Sequence, residues 1–225
     1  MTTTIDYLNQ LEKDRQTLVT NLSNKNVEVD ENETFTSLCK KVNSIKYAPS
    51  FISFYGSTST SLDDNLLGLD TSRIVSMTSM FQSCSKLEHV NLSGFNTSSV
   101  TRMDSMFRYC NSLQELDLSN FVTDSCYDYD YMFQNCKLIT SLDLKNFNVP
   151  YNAQMTSMFS GCSALMYLDI RNFTLPNVGF WTSMFAGIPS NCEIIVKDEA
   201  ARNWLLDQTR SDLTNIKTVA EKEAE

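Results

Sequence analysis

The residues here whose types could do chemistry are one histidine, seven cysteines and a recurring aspartate. A histidine-dependent triad would have to be built on His89, which has no Ser or Cys nucleophile motif beside it and stands in a predicted strand, so a surface or capping role is expected. Cys84, Cys110, Cys136 and Cys162 recur every 26 residues. Their spacing lacks the short Cys-x-x-Cys pairs of a zinc site. If the units stack, equivalent cysteines lie about 4.8 Å apart, which does not exclude bridging on distance alone. However, the next unit carries Ile188 at that position. A slot that accepts isoleucine is apolar, and a free cysteine fills it as a small hydrophobe. Six glycines are scattered singly, so no phosphate-cradling loop is present. The expectation is a non-enzymatic protein with no cofactor and no metal site.

The elements that would position these residues come from a repeat. Phe95, Phe121, Phe147 and Phe173 are 26 residues apart, as are Met80-Phe81, Met106-Phe107, Met132-Phe133, Met158-Phe159 and Met184-Phe185. A fixed period of this length predicts an α/β repeat solenoid, a stack of about five 26-residue coils, each burying its apolar side against its neighbours. Met77, Met80, Phe81 and Cys84 follow i, i+3, i+4, i+7, which predicts a short helix on the convex side. Leu116-Asp117-Leu118, Leu142-Asp143-Leu144 and Leu168-Asp169-Ile170 alternate with period two and predict strands of a parallel sheet. Asn120, Asn146 and Asn172 precede each Phe and are expected to make tight left-handed corners through local bonds. The Phe columns should stack as aromatic spines.

The flanks break the period. Residues 1–48 predict a helical segment for docking or oligomerisation, with Ile5, Leu8, Leu11, Leu18 and Leu22 in a helical pattern and a second apolar face at Phe35, Leu38, Cys39, Val42 and Ile45. The first helix either packs on the next element or forms a short coiled coil, which would make a homo-oligomer such as a trimer. Residues 49–198 hold the repeats, whose last unit decays at Trp181, Ile188 and Asn191, with Pro176 and Pro189 interrupting. In 199–225, Glu199 to Gln208 predicts a closing helix, Ile216 and Val219 follow, and then a solvated acidic tail.

The net charge of -9, with 18 Lys and Arg, disfavours nucleic acid and anionic membranes as partners. No run of 18 apolar residues occurs, so no membrane insertion is expected. Asp6 and Asn9-Gln10 interrupt any leader-like apolar run, so synthesis in a bacterial cytoplasm is the expectation.

Phe95 to Ser119, reading Phe-Asn-Thr-Ser-x-Val-Thr-x-Met-x-x-Met-Phe-x-x-Cys-x-x-Leu-x-x-Leu-Asp-Leu-Ser, resembles the BspA-like leucine-rich repeat of bacterial surface proteins. That resemblance covers roughly residues 52–197 and implies a leucine-rich-repeat solenoid that binds proteins or glycans through an exposed face. The segment from Ile5 to Ile45 is similar to N-terminal segments of bacteriophage tail, baseplate and fibre proteins. This second likeness implies a virion location and other virion proteins as partners, the alternative being a protein of the bacterial surface that binds a host protein.

The candidate binding surface is the outward side of the predicted strands: His89, Asn91, Glu115, Asp117, Asp143, Lys145, Tyr167, Asp169 and Arg171, with Ile195 also outward. Its expected ligand is a host-surface protein or glycan, with Tyr167 as a stacking platform. The like-charged Asp117, Asp143 and Asp169 need partners, which backbone or neighbouring Ser, Lys and Arg could supply.

Overall fold

The structure is a computed structural model that describes residues 16, 53–62, 66, 69–175 and 179–225. The expected N-terminal helices, their oligomerising role and the break at Pro176 therefore lie outside the described residues.

Successive 26-residue segments lie one on another in parallel. Strands β1 (Ser141–Asp143), β2 (Tyr167–Asp169), β3 (Glu193–Val196) and β4 (Ile216–Thr218) form one parallel sheet in that order. Leu142, Leu168, Ile194 and Ile216 are in register. The first three are buried, as the leucine alternation requires. A second line of parallel bridges runs through Ser76, Arg102, Asp128, Gln154 and Phe180.

The Met-x-x-Met-Phe-x-x-Cys halves are not helices, which corrects the expectation from their spacing. They are chained turns: Met80 N–H bonds Met77 O, Gln82 bonds Ser79 O, and Cys84 bonds Phe81 O. The alternate N–H groups reach the next segment, Ser79 to Asp104 O, Phe81 to Met106 O and Ser83 to Arg108 O. Such an arc turns every third or fourth side chain inward, so it imitates a helical stripe. What forbids a helix is a left-handed residue twice per arc, at Ser79 and Ser83, Ser105 and Tyr109, Tyr131 and Asn135. Each such non-glycine residue costs about 1–3 kcal/mol. Glycine supplies the conformation without that cost at Gly161 and Gly187.

Columns of identical side chains join the segments. Phe54, Phe81, Phe107, Phe133, Phe159 and Phe185 stack in sequence at 5.3–5.9 Å between ring centroids. The second Phe column stacks at Phe121 and Phe147, 6.3 Å apart. Thr97 Oγ1 donates to Val122 O and accepts from Val122 N–H, and Thr71 and Thr123 serve Asn96 and Asn148 in the same way.

The asparagines also differ from expectation: they bond across segments, not locally. Asn120 Nδ2 donates to Leu92 O and Phe95 O, Asn146 Nδ2 to Leu118 O and Phe121 O. Their amides bring a donor to Phe95 O and Phe121 O and a second one to Leu92 O and Leu118 O, which already accept from the Phe95 and Phe121 N–H groups, and none of these asparagines is left-handed.

At the C-terminal end helix α1 (Glu199–Gln208) forms where the sequence predicts it, with Asp198 capping Ala201 N–H. Ala201 and Leu205 are buried, and Trp204 meets Trp181 edge-on at 5.4 Å. The acidic tail after Val219 is mostly exposed, and the chain leading into it is ordered. Together they supply β4, which pairs with β3, and helix α2 (Val219–Glu223), which begins in a capping box made by Thr218 and Glu221.

Candidate functional site

The expected site residues fall into two groups. Asp143, Lys145, Tyr167, Asp169 and Arg171 come together because β1 and β2 pair Ser141 with Tyr167 and Asp143 with Asp169. His89, Asn91, Glu115 and Asp117 are exposed further along the stack, outside the named strands, with His89 bridged to Ser61.

The recurring carboxylates have a structural task. Asn91, Asp117, Asp143 and Asp169 each accept, through Oδ1, the backbone N–H two residues on, from Ser93, Ser119, Lys145 and Arg171. This turn closes each strand. The bonds from Ser119 hold the Asp117 carboxyl below its ordinary value. Lys145 Nζ reaches Asp143 Oδ2 at 2.7 Å, which raises the lysine.

Two expected surface positions are buried. Asp169 is 0% exposed, because Arg171 lies along both its oxygens at 2.7–3.0 Å while its backbone bond holds the third direction. Ile195, in register with Asp169 and Lys217, is also fully buried where α2 packs on β3. Tyr167 is half-buried, its hydroxyl donates to Asp169 Oδ2 at 3.3 Å, and burial raises its pKa. It is thus a weaker platform than an exposed ring.

The C-terminal cap explains this burial. Lys217 and Lys222 grip Glu193 at 2.9 and 2.8 Å, and Arg171 reaches Glu223 at 3.7 Å. The open part of the face is therefore His89, Asn91, Glu115, Asp117, Asp143 and Lys145.

The thiols are core groups. Cys110, Cys136 and Cys162 each donate to the Phe carbonyl of the preceding segment, Phe81, Phe107 and Phe133, at 3.1–3.2 Å. All six described cysteines are buried, and Cys110, Cys126, Cys136, Cys162 and Cys192 form no disulfide. Burial pushes Cys162 up to about 12 and Cys110 and Cys136 upward as well, so these thiols stay protonated and unreactive at neutral pH. Arg210 Nη1 donates to Phe185 O at 2.9 Å, supplying the donor that a further cysteine would have brought. Among the described residues no group of three or more His, Cys, Asp or Glu is placed to hold a metal ion. No described helix is long and apolar enough to cross a membrane.

The turn face holds features that the repeat pattern hid. Arg102 pairs with Asp104 and Asp128, both at 3.1 Å. Asp128 is buried, and desolvation raises its carboxyl. Tyr109, Tyr127, Tyr151 and Phe180 are exposed aromatics on or beside this arc. The signal was Tyr127-Asp128-Tyr129-Asp130-Tyr131, where three tyrosines enter a segment whose counterparts in the adjacent repeats are Thr101, Met103 and Ser105 and Ala153, Met155 and Ser157. Tyr129 fills a Met slot, its hydroxyl bonded to Cys126 O at 3.2 Å. The other two stand on the arc.

A family model described as Mycoplasma protein of unknown function, DUF285, matches residues 51–173 and again 136–198. No curated protein and no solved structure matches the chain.

Proposed function

The chain belongs to that DUF285 family, whose repeats are BspA-like, and from this premise we propose that it is a non-enzymatic interaction protein. In this reading about five 26-residue coils form a leucine-rich-repeat solenoid, and the open strand face binds a protein or a host-surface glycan. One observation supports it most: His89, Glu115, Asp117, Asp143 and Lys145 are exposed in a regular array, while the columns beneath them are consumed by packing. A repeat scaffold can vary such outward positions without disturbing its stack. Replacing Glu115 and Lys145 together by alanine should abolish binding to host cells or to a captured partner while leaving the unfolding midpoint nearly unchanged. Retained binding would remove the strand face from the reading.

The more specific reading is a bacteriophage virion component, in tail, baseplate or fibre, docked through residues 1–48 to other virion proteins. It is supported by the likeness of Ile5 to Ile45 to such proteins. The alternative is a location at the bacterial surface. Mass spectrometry of purified particles separates the two, since a virion component must be found in them.

A further inference from the structure

Arg108 stands apart from the other arginines of known contacts. Arg102, Arg171, Arg202 and Arg210 each pair with a carboxylate. Arg108 has no such pair among the described residues, in a chain of net charge -9. It is nevertheless held in place: its guanidinium carbon lies 4.9 Å from the Tyr109 ring centroid and 4.7 Å from that of Tyr131. Its Nε donates to Gln134 Oε1 at 2.7 Å, and its Nη2 reaches the Tyr109 hydroxyl at 3.4 Å. These contacts use two of the five guanidinium N–H groups, and the Nη1 end stays open for the fork geometry a carboxylate prefers.

The two tyrosines are not there for the stack. Tyr109 has φ 62° and Tyr131 has φ 61°, a conformation that bulky residues avoid. Residues at the same repeat positions are Ser83, Asn135, Gly161 and Gly187 for the first, and Ser79, Ser105, Ser157 and Ser183 for the second. Small residues evidently suffice for the turn, and an unfavourable conformation kept by a bulky one points to function.

We propose that Arg108, Tyr109, Tyr131 and Gln134 form a binding site for a carboxylate-bearing sugar on the turn face, independent of the strand-face reading. Arg108 takes the carboxylate, while the tyrosine rings and hydroxyls with the Gln134 amide meet the sugar's C–H faces and hydroxyls. A peptide adding as a strand is disfavoured, because Tyr109 N–H is already bonded to Gln134 O and Tyr131 N–H to Thr156 O. The acidic chain repels a polyanion, so the ligand carries isolated carboxylates.

The test is a titration of the full chain, followed by NMR, with N-acetylneuraminic acid, glucuronic acid, glucuronic acid methyl ester, glucose and an oligoglutamate peptide. At least one acidic sugar should bind in the millimolar range, and glucose and the ester should not. Arg108→Gln, which installs the residue already present at positions 82 and 134, should weaken binding at least about tenfold, as loss of a charge-assisted bond requires. Tyr109→Ser and Tyr131→Ser should each weaken it while leaving the unfolding midpoint equal or higher, and Asp143→Ala should leave it unchanged. Failure of both acidic sugars to bind, equal binding by Arg108→Gln, or Arg108-dependent binding of oligoglutamate alone would overturn the proposal.

Discussion

The middle of the stack and its C-terminal end meet the same demand, satisfying an open layer, by different chemistry. In the middle the joints are mostly neutral, stacked Phe rings and Thr, Asn and Cys side chains bonded to backbone of the adjacent segment, with the pair of Arg102 and Asp128 as a charged exception. At the end they are charged: Glu193 with Lys217 and Lys222, Arg171 with Asp169, and Arg202 with Glu199 and Glu221. A layer with identical neighbours can share one bond per repeat indefinitely. The last layer has no following neighbour, so cap residues must supply donors and cover for it, as Arg210 does for Phe185 O. The two regions should therefore respond differently to truncation, salt and pH.

Truncation should show the largest difference. Phe133 is fully buried and stacked on both sides, at 5.8 and 5.9 Å, so Phe133→Ala should cost about 3–5 kcal/mol in denaturant unfolding. Trp204→Ala in the cap, where the ring is half-buried and meets one partner, should cost clearly less. Equal losses would mean that the cap and the stack unfold as one unit. Asn146→Ala, which leaves Phe121 O without its donor, should cost about 1–3 kcal/mol. Asn172→Ala should cost less, because that exposed amide meets only Lys145 O in the described bonds.

The middle was largely legible in the sequence because its chemistry repeats. Phe133 and Cys136 have counterparts 26 residues away on either side, so burial could be read from recurrence. What recurrence cannot give is backbone conformation. The Met77-to-Cys84 spacing fits a helix and a chain of turns equally, and only the left-handed Ser79 and Ser83 decide between them. Nor does it give bond direction: Asn146 could have bonded its own turn, yet its amide lies against the preceding segment. The cap was least legible, since it occurs once. Ile216 to Thr218 is too short to announce a strand, and Lys222 meets Glu193 across 29 residues with no periodic signal. For that reason Asp169, Tyr167 and Ile195 were expected in solvent, and the open site is smaller than the one the alternation suggested.

Acid should loosen the end before the middle. Lys222 and Lys217 hold the folded-state pKa of Glu193 below its ordinary value, and the Thr218 backbone bond does the same for Glu221. Carboxyls lowered in the folded state stabilise it above their unfolded value, about 4.3 for glutamate, and this is lost as pH falls through the lowered value. Asp128 in the middle has the opposite sign: burial raises it, so its contribution is present below the unfolded carboxyl value and is lost as pH rises through the folded one. Hydrogen exchange should therefore show Ile216 to Thr218 amides losing protection on acidification, and with added salt, before Phe107 and Phe133 do. Simultaneous loss would erase the distinction between the two regions.

The smallest effect belongs to an exposed charged pair on the regular stack. Lys145 and Asp143 are both exposed, with side chains 59% and 45% accessible, and water screens the pair. Lys145→Ala should change stability by no more than about 1 kcal/mol, because the Asp143 carboxylate keeps the Lys145 backbone N–H that closes the strand. Asp143→Ala removes that bond as well and should cost more. Thermal unfolding of the two variants side by side then separates the turn-closing role of the aspartate from the ion pair, and a larger loss for Lys145→Ala would show charge pairing to matter in the middle as it does at the end.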